Sequence, residues 1–341
     1  MPLISVVVSV YNGARFVAEA IQSILDQSFR DFELIVVDDA SSDNSQKVVA
    51  SFSDPRIRLL VNEQNLGLAR SLNKGIAAAN GKYIARQDAD DLSLPNRLQT
   101  QIEYLESHSD TVIVGSSVKT INEYGKVDGL WPACPFDVDI KWRLLFGTPF
   151  VHSSVVMRRS TLDRVGLYSV EPQFCYVEDY ELWSRICASG QCANISLPLL
   201  KYRVNPGSIC HRYAVPQRLQ IEKVSRRAMA SILGSNIWNP DFWPAIQKFL
   251  FTKPNEPTNL ETSEIRLAIS ALENLYRAFS RTYDFPQCEL VRHRKQNLLL
   301  WGKHCLALAY KQNGERSFGC RAALVASGTA LFSKGAFQII S

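Results

Sequence analysis

The sequence predicts an α/β fold over its first 212 residues, a mixed, mostly parallel sheet flanked by helices, followed by a C-terminal α-helical region over residues 213–341. Three observations carry this. Short β-branched runs alternate with helix-spaced segments through the first hundred residues. These runs are apolar throughout rather than alternating, as in strands covered on both faces. After Tyr202-Arg203 the strand signals stop, and only helical segments separated by Pro, Asn and Gly breaks remain.

The first run, Ile4 to Val10, ends at Tyr11-Asn12-Gly13. From Ala14 to Gln27, apolar residues recur at helical spacing: Phe16, Val17, Ala20, Ile21, Ile24 and Leu25. Phe32 to Val37 is a second strand ending in Asp38-Asp39, and Ser42-Asp43-Asn44 offers N-cap chemistry to a helix from Ser45 to Phe52. Arg56 to Val61 is a third strand, and Leu68 to Ala79 a third helix with Asn80-Gly81 as its C-cap. Tyr83-Ile84-Ala85 opens a fourth strand that delivers Arg86-Gln87-Asp88-Ala89-Asp90-Asp91. Beyond it the pattern mixes. A helix from Pro95 to Ser107 and a strand from Val112 to Ser116 lead to a hairpin, Lys119 to Trp131, turning at Glu123-Tyr124-Gly125. A strand from Ser154 to Met157, a helix from Tyr180 to Ser189 and a short strand after Gln191 follow. Pro216 to Leu233, Phe242 to Phe251, Thr262 to Tyr283 and Val291 to Tyr310 are the C-terminal helices.

Composition narrows the function. At 46% hydrophobic and 21% charged residues, wholesale disorder is excluded. A net charge of +5 suits a phosphate-bearing substrate or an anionic membrane without requiring either. No basic run is dense enough for a nucleic-acid partner. The eight cysteines show no C-x-x-C spacing, and no secretory signal precedes them. They read as free thiols of a cytoplasmic protein, not as disulfides or a zinc site. No uninterrupted apolar run reaches membrane-spanning length.

In parallel α/β sheets, ligands gather at the carboxyl ends of strands. Tyr11-Asn12, Asp38-Asp39 and Asp88 to Asp91 all fall at such ends. Carboxylates gathered there can hold a hard divalent cation, Mg²⁺ or Mn²⁺. Taken alone, the same cluster also reads as a solvated turn.

Six signatures follow one another in order. They are Ser9-Val10-Tyr11-Asn12-Gly13, Val36-Val37-Asp38-Asp39-Ala40-Ser41-Ser42-Asp43 and Asn62-Glu63-Gln64-Asn65-Leu66-Gly67-Leu68-Ala69-Arg70. Then come Asn73-Lys74-Gly75, Asp88-Ala89-Asp90-Asp91 and Glu178-Asp179-Tyr180-Glu181-Leu182-Trp183. Together they resemble the family 2 glycosyltransferases with the Rossmann-like GT-A fold, over roughly residues 3–210. The resemblance implies an inverting enzyme that moves a sugar from a nucleotide-sugar donor to a glycan or lipid-linked glycan acceptor. It implies a UDP-sugar by preference, and bacterial surface-polysaccharide assembly as the setting.

The resemblance also assigns residues. Asp39 would accept from the imide N–H of a pyrimidine while Asp38 braces the turn. Ser9, Tyr11 and Asn12 would line the base pocket, Tyr11 either stacking or sitting as a partly buried core tyrosine. Arg70 would reach the base or diphosphate, or remain a solvated helix residue. Asp88-Ala89-Asp90 matches the Asp-x-Asp motif, with Asp90 on Mn²⁺ or Mg²⁺ and Asp88 facing the donor sugar or ribose. Asp91 would support them or cap the next helix. Asp179 would be the general base, its value kept low by a helix N-terminus, with Glu178 beside it; as a bland alternative, both merely cap that helix. His152 either lines the site or is a satisfied core histidine. Arg203 would belong to the loop over the nucleotide, and His211 either makes a late phosphate or metal contact or is an ordinary surface residue.

The chain departs from the family pattern in two places. No Gln-x-x-Arg-Trp motif follows Asp179, which implies non-processive transfer. Ala40 replaces a more usual glycine, a strained choice if that position needs positive φ. Two other readings compete. A sugar-nucleotide nucleotidyltransferase would want a Gly-rich basic loop after the first strand, which Tyr11-Asn12-Gly13 is not. A non-catalytic sugar-nucleotide-binding relative would have no need of Asp179 as a base. In the C-terminal region, Val291-Arg292-His293-Arg294-Lys295 precedes Leu298-Leu299-Leu300-Trp301. That order suits either a peripheral contact with the inner face of the cytoplasmic membrane or packing on the protein, the commoner meaning. Phe318 to Phe332 offers a surface for docking or a homo-oligomer.

Overall fold

A computed structural model describes residues 1–205, 214–234, 239, 241–251 and 262–310. The chain divides into two compact units, Met1–Val224 and Ser225–Ser341. The first unit opens with β1 (Ile4–Val10), α1 (Val17–Leu25), β2 (Phe32–Asp38), α2 (Ser45–Ala50), β3 (Ile57–Val61), α3 (Leu68–Ala78) and β4 (Tyr83–Asp88). It continues with β5 (Leu92–Ser93), α4 (Arg97–Ser107), β6 (Thr111–Ile121), β7 (Val127–Trp131), α5 (Asp137–Arg143) and β8 (Val156–Arg158). α6 (Arg159–Val165), α7 (Glu178–Cys187) and β9 (Gln191–Arg203) complete its sheet and cover.

One nine-stranded sheet runs β3-β2-β1-β4-β8-β6-β9-β5, with β7 paired to β6. β3, β2, β1 and β4 are parallel, and β8 lies antiparallel between β4 and β6. The unbroken apolar runs of the early strands follow from two-sided burial. Val7, Ile35 and Val37 join the core against α3 and α7, while Val6, Val8, Leu34 and Val36 join the core against α1 and α4. Each such side chain, once buried, is worth about 1.5–3 kcal/mol. α1 buries Val17, Ala20, Ile21, Ile24 and Leu25, a stripe at helical spacing.

Several elements differ from expectation. β4 runs on through Arg86, Gln87 and Asp88, because their backbones stay in register with Val7, Val8 and Ser9. β6 and β9 are long for the same reason, pairing from Thr111–Gln191 to Ile121–Arg203. α5 and α6 lie where no helix is expected from the sequence. Asn80-Gly81 is not a C-cap. α3 ends at the extended Ala79, and Gly81 instead passes the β1 backbone so closely that a Cβ would lie 2.5 Å from the Ser5 nitrogen. α2 has no side-chain cap at Asn44; Asp43, one residue earlier, accepts the Ser45 N–H on its Oδ1 at 2.8 Å instead.

α8 (Ala214–Leu233) includes residue 224, the last of the first unit. Its Ile221 and Val224 pack on the first unit's core. The second unit contains α9 (Phe242–Phe251), α10 (Thr262–Thr282) and α11 (Gln287–Tyr310). Within it Ile246, Phe249, Leu272, Leu275 and Phe279 are buried. Leu298 and Trp301, the apolar end of the basic-then-apolar stretch, are buried too, and Leu300 is exposed. No helix among the described residues is long and apolar enough to cross a membrane. Cys134, Cys175, Cys187, Cys192, Cys288 and Cys305 are free thiols. Cys210, Cys320 and Phe318 to Phe332 lie outside the described residues.

Candidate active site

The carboxyl ends of β1, β2 and β4 meet because the strands are neighbours. Val10 pairs with Asp38, and Ser9 pairs with Asp88 across the other edge of β1. Tyr11 is 54% exposed just past β1, which excludes a core tyrosine. Asn12, at φ 50°, accepts from the Ser42 N–H at 2.8 Å and so ties the β1–α1 and β2–α2 loops together. Ala40 stands at φ 59°, in the left-handed region where alanine is strained.

Asp38 and Asp39 are both buried, with different partners. Asp38 accepts from the Ser41 N–H at 3.0 Å, and its Oδ2 has no partner. Asp39 accepts from Asn62 Nδ2 at 2.7 Å, the Leu66 N–H at 2.8 Å and the Gly67 N–H at 2.9 Å. It thus organises the start of α3, a task the sequence did not reveal. A carboxylate offers about four acceptor positions, so roughly one remains for a ligand. Arg70 is exposed on α3 and makes no ion pair among the described residues.

Carboxylate oxygens of Asp88, Asp90 and Asp91 all lie within 4.8 Å of one another. Beneath them Arg86 is buried and bonds directly to Asp88. Burial opposes ionisation of Asp88, but the charge and hydrogen bond of Arg86 outweigh it and hold the group down at about 2. At Asp90, burial and the Asp88 charge outweigh the opposing charges of Arg86 and Arg203 and push it up to about 6. Burial and both neighbouring carboxylates raise Asp91 well above its ordinary value. Its Oδ1 accepts from the Arg203 N–H at 2.7 Å, while its buried Oδ2 has no partner. Crowded like charges, an orphaned oxygen and an all-oxygen donor set fit a divalent cation. Ala89, between them, faces the Gly13 turn.

Asp91 is therefore no helix cap: Asn96 precedes α4, and Asp91 is occupied with β9. Arg203 also differs from expectation. Its guanidinium donates to the Asp90 carbonyl at 2.8 Å, Glu19 at 3.0 Å and the Glu123 carbonyl at 3.2 Å, and lies over the Phe16 ring. Buried and fully engaged, it braces the acidic loop instead of offering itself to a substrate. From below, Gln87 Nε2 donates to the Asp91 carbonyl at 3.0 Å.

Glu178 and Asp179 form the first turn of α7. The expected low value for Asp179 is reversed. Burial outweighs the Tyr180 N–H bond and the Arg86 charge, and pushes Asp179 up to about 6. Burial and the charge of Asp179 push Glu178 up to about 7. The charges of Arg86 and Asp88 act on both groups. His152 donates or accepts at 2.8 Å with the Tyr168 hydroxyl, and burial and Arg86 keep it well below its ordinary value, hence neutral. It is half-buried on the 3₁₀ turn His152–Ser154, whose Ser153 touches Asp88. His211 lies outside the described residues.

Arg86, Ser153 and Tyr168 were not singled out from the sequence. Arg86 carried a signal: two residues before Asp88 on a strand, it shares that side of the sheet. Ser153, 65 residues from Asp88, carries only its place beside His152 in a segment that resembles one near the acceptor or diphosphate in the family.

Residues 5–166 match the model of the family described as Glycosyl transferase family 2. EpsE of Bacillus subtilis (strain 168), a protein named as a glycosyltransferase, is 36% identical over 236 residues, 66% of this chain and 83% of EpsE. An Escherichia coli relative, the UDP-Glc:alpha-D-GlcNAc-diphosphoundecaprenol beta-1,3-glucosyltransferase WfgD, is 31% identical over 63% of this chain and 78% of its own. Among solved structures, S. aureus TarS 1–349 in complex with UDP-GlcNAc has a TM-score of 0.57 at 18% identity, over 98% of this chain and 91% of that one. That likeness is one of fold. The chain belongs to the family 2 glycosyltransferases and has the GT-A fold.

Proposed function

We propose that this chain transfers single sugars from a UDP-sugar to an acceptor hydroxyl with inversion, using Asp179 as general base. The observation that supports this most is the state of Asp179. Burial raises its carboxyl to about 6, and the charge of Asp88 adds to that. Inversion needs a base on the acceptor side, and a base works best with a value near the working pH. Asp179 takes the proton of the acceptor hydroxyl, and Glu178 stands beside it to orient that group. Asp39 meets the pyrimidine imide with its remaining acceptor position, and Tyr11, exposed at the end of β1, stacks on the base. Ser9 and Asn12 shape that pocket, Asp38 holds its turn, and Arg70 reaches for the diphosphate. Asp88, kept ionised by Arg86, accepts from hydroxyls of the donor sugar or ribose. Asp90 would be the foremost ligand for Mn²⁺ or Mg²⁺, and the ion would supply Lewis-acid neutralisation of the diphosphate leaving group.

The names of the relatives suggest the setting. WfgD acts on a diphosphoundecaprenol-linked GlcNAc, and AmsE of Erwinia amylovora, 32% identical over 62% of this chain, is named for amylovoran biosynthesis. We extend this to a lipid-linked glycan acceptor in bacterial polysaccharide assembly, reached at the cytoplasmic face of the membrane. Thermal shift with Mn²⁺ and UDP-Glc, UDP-Gal, UDP-GlcNAc, UDP-GalNAc or dTDP-Rha identifies the donor, since a ligand selective for the folded state raises its stability. UDP release is then followed in Asp90→Ala and Asp179→Ala. Both should fall steeply; turnover untouched by either change overturns the mechanism.

A further inference from the structure

Asp88 can serve a donor only if its side chain is held in one place, and we propose that Ser153 is the positioning residue that holds it. This rests on the functional reading above and names the partner of Asp88 within that site. Ser153 lies on the 3₁₀ turn His152–Ser154, between α5 and β8, and is 0% exposed. Its Oγ donates to Asp88 Oδ2 at 2.8 Å and accepts from the Asp88 N–H at 2.9 Å and from Arg86 Nη1 at 2.9 Å. A hydroxyl has one proton and two lone pairs, and these three contacts all go to Asp88 and its counter-ion, while the hydroxyl also acts on the neighbouring Asp91. Arg86 depends on the same arrangement: its guanidinium bonds Ser153 and Asp88, and its buried Nε has no partner.

The neighbouring hydroxyl supplies the contrast. Ser154 is equally buried, but its Oγ donates to the Val151 carbonyl at 2.8 Å and accepts from the Ser116 N–H at 3.3 Å. It stitches backbone to backbone. One turn therefore carries a hydroxyl that shapes the fold and, beside it, one that aims a carboxylate. The first residue of the turn, His152, joins Tyr168, whose hydroxyl feels the charges of Asp179, Glu178 and Asp88. The turn thus touches Asp88 through Ser153 and Tyr168 through His152.

The test measures binding of the five nucleotide-sugars above, with Mn²⁺, by calorimetry; the tightest ligand of the wild-type protein is the probe. Ser153→Ala should weaken it roughly 10- to 100-fold, the usual effect of losing a hydrogen bond to a charged group. Ser154→Ala should lower the melting temperature yet bind within about twofold of wild type. In an Asp88→Asn background, Ser153→Ala should change the dissociation constant by less than about twofold, because coupled residues are not additive. Ser153→Cys, near-isosteric and a weaker donor, is measured beside it in case alanine fails to fold, with the same direction expected. If Ser153→Ala and Ser153→Cys bind like wild type, or if Ser154→Ala loses as much, the proposal is overturned while the functional reading stands. If none of the five ligands binds the wild-type protein, the functional reading fails, and the role of Ser153 with it.

Discussion

A carboxyl pushed up to about 6 is half ionised at that pH, and Asp179 is in that position because burial outweighs the helix N-terminus that would favour its charge. As a base it works only when ionised, so the transfer rate should rise with pH through about 6 and then level. Initial rates from about pH 5 to 8 check this, and a flat profile would count against Asp179. Asp179→Asn should cost about 10²–10⁴ in rate and leave donor binding within about twofold. Ala40 presents the opposite situation, a residue strained without a chemical task of its own. At φ 59° alanine carries a penalty of about 1–2 kcal/mol that glycine escapes, less the entropy glycine loses on folding. Ala40→Gly should therefore stabilise by about 0.5–1 kcal/mol in urea unfolding. A loss of stability would show that the loop tolerates alanine freely.

Arg203 belongs to the scale of elements, because its side chain joins four of them. From the end of β9 it reaches the loop after β4, the β6–β7 turn and Glu19 of α1. Arg203→Ala leaves the part-buried Asp90 and Glu123 carbonyls without their donor and removes a buried, ion-paired side chain, and should destabilise the protein by about 2–3 kcal/mol. Cation binding should weaken as well, since the Asp90 backbone loses its anchor; calorimetry with Mn²⁺ alone reads this separately from melting. A variant as stable as wild type would show that the Asp91 contact with the β9 backbone suffices. Elements were also where sequence reading was most successful. β1, β2, α3 and the C-terminal helices lie within a few residues of expectation, because burial on a fixed face imposes period and length. The strand signal stops short in β4 and β9 because polar side chains mask backbones that stay paired, and pairing is not a property of one strand.

For the whole molecule, the raised carboxyls make stability depend on pH. Glu178, at about 7, and Asp90 and Asp179, at about 6, are raised above their unfolded values. Such groups stabilise the fold when protonated, and that contribution is lost as pH rises through 6–7. His152, depressed well below its ordinary value, acts in the other sense: its contribution is lost as pH falls below about 6.5. Above that pH the carboxyls act alone. The ligand-free protein should therefore melt roughly 2–4 °C lower at pH 8 than at pH 6.5, and Glu178→Gln should shrink the difference. Equal midpoints in wild type would mean that solvent relieves the cluster. The cost of holding these charges together is the stability the site gives up for its chemistry.

The sequence by itself determined the class of fold, the family and the strand ends at which chemistry collects. Periodicity and local motifs are properties of neighbours in the chain, and Asp38-Asp39, Asp88 to Asp91 and Glu178-Asp179 are all local. Only the tertiary structure decided what surrounds each carboxyl. Ser153 reaching Asp88, Arg203 pinning Asp90 and Asp91, and the burial that raises Asp179 are contacts between distant segments. Charge state depends on the distance to the next charge and to water, and the folded chain alone sets both.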